Sequence, residues 1–182
     1  MSAPGAARPG LPPVDALAPV DPPAPVLTHV DASGAARMVD VSAKQPSART
    51  ALATGVLRTT AEVTALLQAG ALPKGDALAT ARIAGIMAAK RTPDLVPLCH
   101  PISISGVAVD LEVGATEVRI SATVRTTDRT GVEMEALTAV AVAGLTLHDM
   151  IKAVDPAAVL DAVRVERKDG GKTGSWTRPE GR

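Results

Sequence analysis

From Arg49 to Arg58 polar and apolar side chains alternate, with Thr50, Leu52, Thr54 and Val56 on one face, which predicts a strand. Thr60 to Ala69 changes period, since Ala61, Val63, Leu66 and Leu67 fall on a helical stripe closed by Gly70. A second helix is expected after Asp76, whose carboxylate can accept from the free amides of a first turn. It runs to about Lys90 or Arg91 and must stop before Pro93. Ala77, Leu78, Ala79, Ala81, Ile83, Ala84, Gly85, Ile86, Met87 and Ala88 leave that helix almost no polar face. Burial on several sides is therefore expected, with Ala81, Ala84, Gly85 and Ala88 admitting other backbones closely. Ser103–Val113 and Val118–Arg125 alternate again around a turn at Gly114-Ala115, the pattern of a hairpin with one buried face. A long helix from about Glu133 to Val154 is ended by Pro156, and Val163 and Val165 mark a last strand over Ala162–Lys168.

The order strand, helices, hairpin, long helix, strand is β-α-β-β-α-β. It predicts an α+β fold, a ferredoxin-like sandwich with an antiparallel sheet packed on helices. Residues 1–26 hold eight of the fifteen prolines, many alanines and few charges, and are read as a disordered tail. Residues 27–175 form the folded body and residues 176–182 a flexible end. The chain has no Phe or Tyr and one Trp, so its core must be built from Val, Leu, Ile, Ala and Met. Such small side chains bury little area each, which hints at further burial between subunits. Nineteen basic and nineteen acidic residues cancel, and no basic cluster stands out, so neither nucleic acid nor an anionic membrane is expected as a partner. One cysteine makes no internal disulfide. No uninterrupted apolar run reaches transmembrane length and no early segment resembles a secretory signal, so a cytoplasmic location is expected.

Chemistry concentrates in a few places. Lys74-Gly75 precedes a helix start, whose dipole favours anions such as phosphate. Leu98-Cys99-His100 lies between Pro97 and Pro101, a stiff, extended setting in which neighbours face opposite ways. Cys99 and His100 are therefore not expected to pair, one being buried while the other meets a cavity or solvent. Asp149 and Lys152 share a helix face and read either as a solvated ion pair or as an acid/base couple, while His148 receives no role. Glu133 and Glu135 would converge on one site only in an extended segment, because helical positions two apart diverge; otherwise they are favourable charge at a helix start. Lys168-Asp169-Gly170-Gly171-Lys172-Thr173-Gly174 fails as a P-loop, since the first glycine would fall on Glu166 and no helix follows. It reads either as a glycine-rich loop whose lysines meet phosphate or as a tail. His29, Arg49 and Arg82, taken singly, read as structural. Three scattered histidines and one cysteine have no metal-ligand spacing. The inventory suits binding a polyanion and moving protons on it.

The segments K-G-D-A-L-A-T-A-R-I-A-G-I, L-V-P-L-C-H-P, T-G-V-E-M-E-A-L-T-A, L-H-D-M-I-K-A-V and K-D-G-G-K-T-G, with L-T-H-V-D and M-V-D-V-S-A-K before them, resemble the MoaC family in the right order from about Leu27 to Gly174. The resemblance implies a lyase of molybdenum cofactor biosynthesis. Its substrate would be (8S)-3',8-cyclo-7,8-dihydroguanosine 5'-triphosphate, a cyclised GTP intermediate, converted to cyclic pyranopterin monophosphate with release of pyrophosphate. It also implies ferredoxin-like subunits in a homohexamer, a trimer of dimers, with active sites at a subunit interface. Carried over by motif, Lys74, His100, Asp149 and Lys152 are catalytic or near-catalytic. Leu98, Cys99, His100, Glu133, Met134, Glu135, Lys168 and Lys172 are substrate contacts. Lys74 and the loop lysines would hold the triphosphate. No cofactor is expected, and Mg2+ is left open without a ligand cluster to support it.

Overall fold

The computed structural model describes residue 30 and residues 33–181. The proline-rich tail and most of the L-T-H-V-D segment lie outside the described residues. The elements run β1 (Ser47–Arg58), α1 (Ala61–Ala69), α2 (Ala77–Ala89), α3 (Thr92–Leu95), β2 (Ile104–Val113), β3 (Glu117–Asp128), α4 (Glu133–Ile151), β4 (Val159–Asp169) and β5 (Trp176–Thr177). They form one sheet in the order β2-β3-β1-β4-β5. Every pairing is antiparallel. With β1 central, between β3 and β4, the sheet has the ferredoxin-like arrangement expected from the sequence, extended by an edge strand.

Alternation decides which face of the sheet meets the helices. Ala51, Ala53 and Leu57 of β1, Val118, Ile120, Ala122 and Val124 of β3, and Val109 of β2 are buried beneath them. Over this face lies α4, whose Ala136, Ala139, Val140, Ala143, Leu147 and Ile151 are inaccessible to solvent. By length and hydropathy α4 would suffice to cross a bilayer. Its apolar stripe is instead the core of the domain, with acidic residues in its first turn and His148 in its last.

The α2 helix packs on α4 through small residues. An added Cβ on Gly85 would sit 2.9 Å from the Ala139 carbonyl oxygen and 3.3 Å from Ala143 Cβ, so the two backbones meet with no room for a side chain. The helices are antiparallel, because residues just before α2 touch the end of α4 and residues after it reach the start of α4. Burial on several sides is not what α2 shows within the chain. Ala77, Ala81, Gly85, Ala88 and Ala89 are buried, whereas Ile83 and Met87 are 59% and 51% exposed. The small residues serve the seam inside the chain and the large ones face outward.

Two boundaries differ from the sequence reading, whereas α2 ends at Ala89, before Pro93 as expected. Pro93 sits in the first turn of the separate short helix α3, where a missing amide costs nothing. The long helix stops at Ile151, and Val154 and Asp155 turn back to donate to the Ile151 carbonyl. β4 begins at Val159, and its pairing with β1 slips twice, with Ala162 at φ 52°. Those irregularities break the alternation by which a strand is recognised. Beyond the glycine-rich loop, Trp176 and Thr177 pair with Lys168 and Arg167. Arg178 donates to the Val165 carbonyl at 2.8 Å and lies 5.7 Å from the Trp176 ring centroid.

Replacing Gly85 with leucine should drive α2 away from α4. Overpacking of this kind costs about 1–3 kcal/mol, and urea denaturation should show the loss as a lower midpoint with little change in slope. Stability equal to that of the wild type would mean that the seam is not as tight as its geometry.

Candidate functional site

Two groups of polar side chains form at opposite ends of α4. At its C-terminal end, the Leu72–Gly75 turn, closed by a Gly75 amide to Leu72 carbonyl bond of 3.0 Å, carries Lys74 across to the last turn of the helix. There the Lys74 ammonium donates to the Asp149 carbonyl at 2.7 Å and to its Oδ2 at 2.9 Å. Lys152, three residues on, lies 2.8 Å from Oδ1. Two cations at a helix C-terminus also meet the negative end of its dipole. Hydrogen bonds from Lys152 and then Lys74 hold the Asp149 carboxyl down to about 2. Asp149 is therefore ionised, with both oxygens committed, and is a weak base in this arrangement. The groups with protons to give are the two ammoniums. The anion expected at the Lys74-Gly75 end is, in this structure, the chain's own Asp149.

At the N-terminal end of α4 a cavity of about 550 Å3 opens between the helix start, the 96–100 segment and the 39–44 segment. Leu98, Cys99, His100, Glu133, Met134 and Glu135 all line it, so six of the expected substrate contacts share one space. Two details of the sequence reading change. Cys99 and His100 are both half-buried and both face this cavity, because the Cys99 amide bonds back to the Val96 carbonyl at 3.0 Å and bends the segment out of extended geometry. Glu133 and Glu135 both reach the cavity although the stretch is helical, because the cavity wraps the end of the helix rather than one side.

His100 Nε2 lies 2.6 Å from the Val39 carbonyl oxygen, which can only accept. The proton is therefore on Nε2, and Nδ1 has no partner among the described residues. Burial, and then the charge of Glu135, raises the Cys99 pKa. Cys99 thus stays a thiol and lines the cavity rather than attacking from it. Glu135 is 2% exposed, and its Oε2 is buried with no hydrogen-bond partner among the described residues. Burial pushes its pKa up most; its own backbone amide opposes this and the Glu133 charge adds to it. A carboxyl at the cavity wall with one buried, unpartnered oxygen keeps an unused acceptor.

The two groups do not meet within one chain. Glu135 and Asp149 are fourteen residues apart on one straight helix, about 21 Å at 1.5 Å per residue. His100 thus stands with the substrate contacts, and Lys74, Asp149 and Lys152 stand apart from it. Lys168 is 3.5 Å from Glu133 and donates to Thr173 Oγ1 at 3.0 Å, which ties the glycine-rich loop to the start of α4. Lys172 lines a second cavity, beside the first. Among the described residues no three His, Cys, Asp or Glu side chains gather as a metal would require.

Sequence reasoning gave no role to Lys44, which borders both cavities, or to Arg49, which lies between the β3–α4 turn and the glycine-rich loop. Lys44 ends the M-V-D-V-S-A-K motif, which was a usable signal. Arg49 carried none, being one charge on an alternating strand.

A family model described as the MoaC family matches residues 38–171. The chain belongs to the MoaC family. Of the eleven positions that the resemblance picked out, every one except Lys172 falls inside the match, and the M-V-D-V-S-A-K segment opens it. Among MoaC relatives, the cyclic pyranopterin monophosphate synthase of Streptomyces coelicolor is 67% identical over 152 residues, covering 84% of this chain and 89% of its own. The cyclic pyranopterin monophosphate synthase 2 of Mycobacterium tuberculosis is 64% identical over 152 residues, covering 84% and 91%. The synthase of Roseiflexus is 59% identical over 152 residues, covering 82% and 96%.

The unsatisfied Glu135 carboxyl should weaken the fold. Because its native pKa is raised, the folded state holds the proton more tightly than the unfolded one, and stability falls as pH rises from the ordinary carboxylate range through the raised value. Glu135→Gln should therefore unfold a few degrees above the wild type at about pH 8, from relief of roughly 1–3 kcal/mol, with the gap closing towards about pH 4. A gap that does not change with pH in thermal denaturation would refute the assignment.

Proposed function

We propose that the chain is a cyclic pyranopterin monophosphate synthase of molybdenum cofactor biosynthesis, a lyase. It converts the 3',8-cyclised dihydro-GTP to cyclic pyranopterin monophosphate and releases pyrophosphate. Residues 27–175 are the catalytic domain, acting in the cytoplasm as a trimer of dimers. The family match over residues 38–171 carries this reading, since it contains the Lys74, Asp149 and Lys152 group and the His100, Glu133 and Glu135 cavity together.

The separation of these groups along α4 supports a site shared between protomers. The cavity of one protomer holds the guanine-derived ring, with Glu133 and Glu135 accepting from its N–H groups and Leu98 and Met134 against its faces. His100 Nδ1 accepts from, or returns a proton to, the sugar-derived part. A second protomer brings Lys74, Asp149 and Lys152 to the open side of that cavity. Asp149 holds the two ammoniums in place, and Lys152 supplies protons as the purine ring opens and the pyranopterin closes. The outward Ile83 and Met87 of α2 suit the burial that such an assembly requires.

Subunit mixing tests both halves of the reading. Asp149→Asn and Glu135→Gln homomers should each lose at least ~10²-fold in formation of the pterin product. Mixed subunits, after dissociation and reassembly, should recover about a quarter of wild-type activity. Half of randomly paired dimers are mixed, and each mixed dimer holds one intact site and one doubly damaged site. Wild-type protein that forms no pterin and no pyrophosphate from the cyclised substrate sinks the activity. Full activity in either single variant, or no recovery on mixing, sinks the shared site.

A further inference from the structure

Between the Ala36 bridge and Ser47 the chain has no strand or helix, yet Val39, Val41 and Lys44 form one wall of the ring-sized cavity. A side chain of the segment ties it to itself. The Ser42 amide donates to Asp40 Oδ1 at 2.8 Å and closes a turn, which the Lys44 amide continues by donating to the Val41 carbonyl at 3.0 Å. That turn sets the direction of the Val39 carbonyl, which accepts from His100 Nε2 at 2.6 Å across 61 residues of chain. Asp40 is exposed and has no ion-pair partner among the described residues. Bonds from the Ser42 amide and then its hydroxyl hold the Asp40 pKa below the ordinary range; slight desolvation opposes them, and a charge on His100 lowers it further. The carboxylate thus lies near the imidazole without bonding to it. An exposed carboxylate that bonds to its own turn contributes nothing to the core. What it fixes is a carbonyl.

Which nitrogen of a histidine carries the proton is set by the bond that the other ring nitrogen or its own proton makes. With the Nε2 proton committed to Val39, the lone pair on Nδ1 is the one left for a ligand. An imidazole carrying its proton on Nδ1 would present a donor there instead. We propose that Asp40 is a positioning residue for His100: its carboxylate pins the turn over residues 39–42, the turn aims the Val39 carbonyl, and the carbonyl keeps Nδ1 an acceptor. The proposal rests on His100 acting on the substrate through Nδ1. Asp40 acts through the backbone, so the turn and not the charge carries the effect. Asparagine, whose Oδ1 accepts from the same amide, can therefore replace aspartate here, and alanine cannot.

Nitrogen NMR of the full chain with isotopically labelled histidine reads the tautomer at about pH 8, where an ordinary imidazole is neutral. The His100 signals are those missing from His100→Gln. In the wild type Nε2 should carry the proton and Nδ1 should not. Asp40→Asn should keep that pattern and stay within about twofold of the wild-type kcat. Asp40→Ala should mix the two tautomers and lose about tenfold in kcat, with KM changed less than about threefold, because orientation is lost and binding is not. The position is exposed and outside any strand or helix, so both variants should keep the wild-type unfolding midpoint. An alanine variant with the wild-type tautomer and kcat would overturn the proposal, as would an asparagine variant as damaged as the alanine one. The expected tautomers in a protein that forms no pterin from the cyclised substrate would leave the anchor standing and remove the activity.

Discussion

Both ends of the site depend on the antiparallel seam between α2 and α4. At Gly85 the backbones approach to a distance that excludes any side chain, which fixes how far one helix can slide along the other. Lys74 precedes α2 and Asp149 ends α4, while the Cys99-His100 segment follows α2 and α3 and Glu135 begins α4. One packing register therefore sets the Lys74–Asp149 contact and the shape of the ring-sized cavity together. A slip of one turn, about 5.4 Å, would undo both.

The two ends solve opposite electrostatic problems. At the C-terminal end of α4 the charges are nearly balanced and solvent-exposed: one carboxylate is shared by two ammoniums and leaves a single positive excess. That arrangement fixes geometry but strips Asp149 of basicity. At the N-terminal end the Glu135 carboxyl is buried with one oxygen unpartnered among the described residues, and Lys44, Arg49 and Lys172 line the cavity next door. A buried acceptor left without a donor costs stability, and a ligand presenting an N–H group there would satisfy it.

The strands, the hairpin and the long helix were legible because alternation and helical period hold in the parts that pack on one face, as in β1, β3 and α4. Legibility failed where the backbone departs from a period. The Ala162 irregularity hid the first residues of β4, and the four-residue helix α3 is too short to show a period. The candidate site residues stand in local motifs, but their grouping could not be read from those motifs. Nothing in the spacing of Lys74, His100, Asp149 and Lys152 tells which of them share a cavity, since that depends on the length of α4 and on which way α2 runs against it. Cys99 and His100 misled for a related reason, since one backbone bond to Val96 turns both towards the same space. Arg49 stayed hidden because its role depends on two carbonyls 79 and 80 residues away.

A chain without tyrosine is nearly silent in the near ultraviolet except for one indole. That indole, Trp176, sits on the strand that closes the glycine-rich loop, opposite Lys168 and beside the Arg178 guanidinium. Its emission thus carries an unmixed optical report on the glycine-rich loop. Any change in that loop's surroundings can be followed in real time in the unlabelled protein, with no background from the core to subtract.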